Sequence, residues 1–163
     1  MKLLRNVQIG LALCVLIFLQ TGCGEKLPDG MPKPVPCEIL VTQEGNPLEN
    51  ALVSLQPVGD GKWSAIGNTD ATGKAIVFTM DKYKGAVEGK YKVIVSKTET
   101  EQSKGPVSSN DAARRSTSLG GFYLVDEKYG NPITTPLEID VVKGTIEYSV
   151  DAGKVVRIKM PVR

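Results

Sequence analysis

Histidine is absent from all 163 residues of the chain. Its absence removes the Ser-His and Cys-His nucleophile pairs and the commonest zinc ligand. Cysteine occurs three times. Cys14 lies inside an apolar leader and Cys23 at its end, so only Cys37 belongs to the body of the chain. One cysteine is too few for a thiolate zinc site or a disulfide framework. Long apolar runs are also missing. Residues 7–19 come nearest, broken by Gln8 and Gly10. As helix they reach roughly 20 Å, short of the ~30 Å hydrocarbon core of a bilayer. Charge of one sign is lacking as well. Lys and Arg number 20 against 18 Asp and Glu, but Lys2 and Arg5 sit in the leader, which holds no acid; without them 18 bases face 18 acids. A neutral body offers nucleic acid no basic footprint, so no such partner is expected.

What is present begins with that leader. Two early bases, an apolar core and a small-residue end read as a signal peptide over residues 1–22. The stretch Leu19-Gln20-Thr21-Gly22-Cys23 resembles the lipobox of bacterial lipoproteins, with the leucine one place farther from the cysteine than in that pattern. The resemblance implies that Cys23 is diacylated and becomes the mature N-terminus, making a membrane the first partner. Ordinary cleavage, leaving Cys23 a thiol able to pair with Cys37, is the alternative. Gly24 follows Cys23 where an inner-membrane retention signal has Asp, so the expected location is the outer membrane or cell surface. Residues 23–34 are rich in Pro, Gly and charge and read as a lipid-anchored flexible tether.

From residue 35 onward side chains alternate with period two. Val35, Cys37, Ile39 and Val41 share one face of a first strand, with Cys37 acting as a small core hydrophobe. Ala51, Val53 and Leu55 do the same in 50–57, and Tyr91, Val93 and Val95 in 90–97. Segment 62–68 alternates less regularly. Segment 74–80 is apolar on both faces and reads as a central strand. Segments 137–141 and 146–150 flank a tight turn at Lys143-Gly144 and read as a hairpin, and 154–160 is the last strand. The strongest turn is Thr69-Asp70-Ala71-Thr72-Gly73, where an Asp can hydrogen-bond the backbone ahead and a Gly supplies positive φ. Residues 98–135 lack sustained alternation and read as one long loop, functional or disordered.

Three of these stretches resemble carboxypeptidase-regulatory-like, or transthyretin-like, domains. They are Gly45-Asn46-Pro47-Leu48-Glu49-Asn50-Ala51-Leu52-Val53, then Thr69-Asp70-Ala71-Thr72-Gly73, then Gly89-Lys90-Tyr91-Lys92-Val93-Ile94-Val95. Asp126 to Leu137 is similar to a segment before the final hairpin in small bacterial lipoproteins of this type. The resemblance spans residues 35–150. It implies a fold and an accessory, binding or structural role, with no catalytic residues and no cofactor. Pattern and resemblance together give an all-β chain: a single seven- to eight-stranded Ig-like or transthyretin-like β-sandwich over 35–163, after the signal peptide and tether.

Function candidates are few. Ser96 and Lys97, the nearest thing to a Ser-Lys pair, alternate to opposite faces of a strand, and Ser103-Lys104 lies in the polar loop; no enzyme is expected. Asp70 reads as a turn former, and Asp111, Asp126 and Glu127 as solvated loop acids, so no metal site is assigned. Arg114 and Arg115 offer a grip for an anionic polymer, although two arginines on a polar loop are ordinarily solvated. Trp63 and Tyr129 are the aromatics from which a sugar-binding platform can be built. The resulting expectation is a non-enzymatic envelope lipoprotein, a structural or interaction module for an unknown envelope protein. The alternative is a carbohydrate- or cell-wall-binding module using exposed aromatics.

Overall fold

A computed structural model of the chain describes residues 26–100 and 121–161. The chain divides into two units, Met1–Met31 and Pro32–Arg163. In the first, the described residues make a turn in which the Met31 N–H donates to the Pro28 carbonyl at 3.1 Å. Among the described residues no helix is long and apolar enough to cross a membrane.

The second unit is a β-sandwich. Its larger sheet is antiparallel, in the order β11 (Glu138–Val141), β8 (Gly89–Ser96), β3 (Leu52–Pro57), β4 (Ala65–Asn68), β6 (Phe78–Thr79), β7 (Tyr83–Lys84). The second sheet centres on β1 (Glu38–Gln43). One edge of β1 pairs in parallel with β12 (Glu147–Asp151); the other pairs with β2 (Asn46–Pro47) and β5 (Lys74–Ile76). Because strand side chains alternate between faces, the inward set of each sheet meets the other's. Ile39 and Val41 of β1, Val53 and Leu55 of β3, and Val93 and Val95 of β8 are fully buried. Each such side chain contributes roughly 1.5–3 kcal/mol. Cys37 lies in this core, as its alternation implies.

Thirteen strands occur among the described residues, more than the seven or eight that alternation suggests. Part of the excess comes from segment 74–80, which is not one central strand. It splits at Val77: β5 pairs with β1 in one sheet and β6 with β4 in the other. Ala75, Val77 and Thr79 point into the core while Ile76 and Phe78 point out. The chain turns the corner of the sandwich there, so apolar residues on both faces mark an exposed apolar patch, not a doubly covered strand.

The Lys143-Gly144 turn does not close a hairpin either. β11 joins the larger sheet beside β8, and β12 crosses to the other sheet beside β1. Within 98–135 the chain forms β9 (Thr98–Thr100), β10 (Gly121–Tyr123) and a 3-10 turn at Glu127–Gly130. β9 and β10 pair with each other, and β10 with β13 (Ile158–Lys159), as a small third sheet. Arg157 reinforces it, with its guanidinium 3.9 Å from the Phe122 ring centre and an ion pair to Glu99.

The Asp70 turn forms as its chemistry dictates. Asp70 Oδ1 accepts from the Thr72 N–H (2.8 Å), the Thr72 hydroxyl (2.7 Å) and the Lys74 N–H (3.1 Å). Gly73 takes φ +78°. The Thr72 hydroxyl, then the two backbone donors, hold the Asp70 carboxyl below its ordinary range. A carboxyl whose pKa falls on folding adds stability that is complete above the unfolded pKa and disappears as pH drops through the folded one. Between about pH 6 and about pH 2 the urea midpoint of the wild type is therefore expected to fall more than that of Asp70→Asn, which keeps the acceptor oxygen but not the charge. Equal losses would remove this carboxylate from the acid response.

Candidate functional site

The groups with intrinsic reactivity are committed to the fold. Burial, and secondarily Glu38, pushes the Cys37 thiol up to about 12, so the nucleophilic thiolate is not formed near neutral pH. Burial does the same to Tyr91, also about 12. Its hydroxyl donates to the Val87 carbonyl at 2.8 Å and lies 3.2 Å from the Trp63 carbonyl. Thr69, Thr79 and Thr135 are buried with their hydroxyls bonded to backbone. Buried Gln43 donates to the Leu124 and Lys154 carbonyls. No buried side-chain nitrogen or oxygen among the described residues lacks a partner.

The structure separates the two candidate platform aromatics. Trp63 is half-buried beside Tyr91, near the start of β8, where a small pocket of about 90 Å³ holds them both. Tyr129 lies at the other end, where its neighbours Glu127 and Gly130 share a groove with Val95 and Ser96. Four or five strand residues at about 3.3 Å each keep the two ends well apart. Tyr129 is also only 7% exposed, a member of the core, with its ring laid over Gly153. A ring shut into the core offers no stacking face, so a Trp63–Tyr129 platform does not form. Arg114, Arg115, Asp111 and Cys23 lie outside the described residues. Ser96 and Lys97 border one groove despite their alternation, because the strand ends at Ser96; no hydrogen bond joins them.

A concavity of about 520 Å³ opens on the outside of the larger sheet. Register explains its lining. Ser54 faces Ile66 across β3 and β4, and Ile66 faces Phe78 across β4 and β6. With Val53, Ala65 and Thr79 directed inward, Leu52, Ile66 and Phe78 must stand outward. Ile76 extends this wall, and Asp70, Lys74 and Asp81 supply charge. Leu52 and Ile76 are each about two-fifths exposed, and Met80, next to Asp81 in the chain, more than half. The Lys74 ammonium is tied to Glu147, which raises its pKa.

Sequence reasoning did not single out this apolar face. Its signal was the apolar outer positions of segment 74–80, which by themselves suit a covered strand equally well. No family model, curated protein or solved structure matches this chain.

Proposed function

We propose that this chain is an exported envelope protein, held to a membrane through a lipid on Cys23, whose sandwich works without catalysis. In this reading it is an interaction module that docks a partner protein on the apolar outer face of the larger sheet. The leader and the lipobox-like Thr21-Gly22-Cys23 ending support the export and the anchor. One observation carries the docking role: Leu52, Ile66, Ile76 and Phe78 gather around a groove. Single exposed apolar residues are ordinary on a soluble surface, whereas a contiguous patch with a polar rim marks a contact surface.

The test places a photo-crosslinking residue at Phe78 of the full chain in its native cells. The control position is Ile133, which is exposed but outside the patch. A discrete adduct is expected from position 78 and not from 133, and Leu52→Asp is expected to abolish it. The same adducts from both positions, or none from 78, discard the docking role.

A further inference from the structure

We infer that the groove between the end of β8 and the 3-10 turn at Glu127–Gly130 is a binding site for a neutral glycan, with a pyranose ring stacked on Tyr123. Its volume is about 460 Å³, within the roughly 300–1,000 Å³ of small-molecule clefts. Ser96, Lys97, Tyr123, Asp126, Glu127 and Asn131 border it, over Val95 and Val125.

Three observations point to a sugar. First, Tyr123 is 39% exposed in the groove wall. On β10 the neighbouring Phe122 turns its ring to Arg157, so alternation sends Tyr123 to the other side, into the groove wall. Second, polar groups around that ring remain unspent. Lys97 and Glu127 side chains and the Tyr123 hydroxyl have no partner among the described residues. Asp126 Oδ1 accepts from the Lys128 N–H, which leaves Oδ2. Asn131 Oδ1 accepts from the Ile133 N–H, which leaves the amide donors. These groups are half-buried or exposed, so water satisfies them and the hydroxyls of a ligand can take its place. Third, the mixture selects the ligand. One ammonium against two carboxylates disfavours a phosphate or another anion. No group of three acids or cysteines suited to a metal ion occurs among the described residues. A pyranose satisfies each element: its C–H face lies on the aromatic ring, its hydroxyls donate to carboxylates and its oxygens accept from ammonium and amide.

The site keeps saccharide chemistry but moves it from Trp63 and Tyr129 to Tyr123. It shares no residue with the apolar face of the larger sheet, so its failure would leave the docking reading standing, and the reverse.

Calorimetric titration of the full chain with chitohexaose and with cellohexaose tests it. At least one is expected to bind with Kd at or below about 1 mM, to weaken at least about tenfold in Tyr123→Ala, and to persist in Tyr123→Phe. Trp63→Ala is expected to bind as wild type. If Tyr123→Ala does not match the wild-type thermal midpoint, Glu127→Gln, which keeps the shape and removes a charge, decides by the same tenfold criterion. Binding of neither hexasaccharide, or a weakening of less than about tenfold in the deciding variant, overturns the assignment.

Discussion

Replacing Gly85 with alanine is expected to lower the unfolding free energy by about 2–6 kcal/mol, with about 1–3 from backbone strain and a similar amount from overlap. Gly85 has φ +102°, a conformation L side chains rarely adopt. A Cβ there would lie 2.0 Å from the Val35 carbonyl oxygen. That carbonyl is half of the bridge between Val35 and Ala86, whose two hydrogen bonds measure 2.8 and 3.0 Å. Gly85 also donates its N–H to the Val77 carbonyl and accepts from the buried Thr79 hydroxyl. Relief of the overlap must therefore disturb the corner where the chain passes from one sheet to the other. Gly59→Ala is the control. It too has positive φ, +71°, but nothing lies near its added Cβ. Its loss is expected to stay near 1 kcal/mol. Urea unfolding at matched m-values measures both. Equal losses at the two sites would show that the contact with Val35 contributes nothing.

Thr69→Val is the second large effect, roughly 2–6 kcal/mol, taking each stranded buried polar group at about 1–3. The Thr69 hydroxyl donates to the Leu48 carbonyl at 2.6 Å and accepts from the Ala51 N–H at 2.8 Å. Those two backbone groups belong to the segment leading into β3, while Thr69 opens the Asp70 turn. One hydroxyl thus joins two stretches that are separate in sequence. Valine has nearly the same shape and fills the space, so the loss isolates the hydrogen bonds from packing. Thr69→Ser keeps the hydroxyl and is expected to retain most of the stability. A serine variant as unstable as the valine variant would assign Thr69's role to its methyl group instead.

Both sites bear on how much could be read ahead of the structure. Thr69 was visible only as the first residue of a turn; its hydroxyl matters because Leu48 and Ala51 arrive beside it after folding. Asp70 was legible in full, since its side-chain hydrogen bonds reach only residues within four positions, and so was the positive φ of Gly73; the bond from the Val41 N–H to the Gly73 carbonyl was not. The inward faces of β1, β3 and β8 were legible for a similar reason, because burial of alternate residues is a property of one strand.

Which strand lies beside which was not legible. β12 pairs with β1 across more than a hundred residues, and in parallel, although a tight turn before it invited a hairpin. Pairing is settled by the summed burial of all inward faces, and no local pattern reports that sum. The candidate sites divide in the same way. Trp63 and Tyr129 were chosen by residue type, and the fold placed them at opposite ends of β8 and closed the second into the core. Phe78 and Tyr123 acquire their exposed positions only from a corner and a small third sheet.

The sequence by itself determined that the body of this chain is built of strands and where its sharpest turn falls. Those features follow from composition, from period two and from interactions spanning a few residues. The tertiary structure alone decided the pairing of the strands, the apolar face around Leu52 and Phe78, and the polar groove at Tyr123. Surfaces are made of residues distant along the chain, and only the packed arrangement of both sheets fixes which of them meet solvent together.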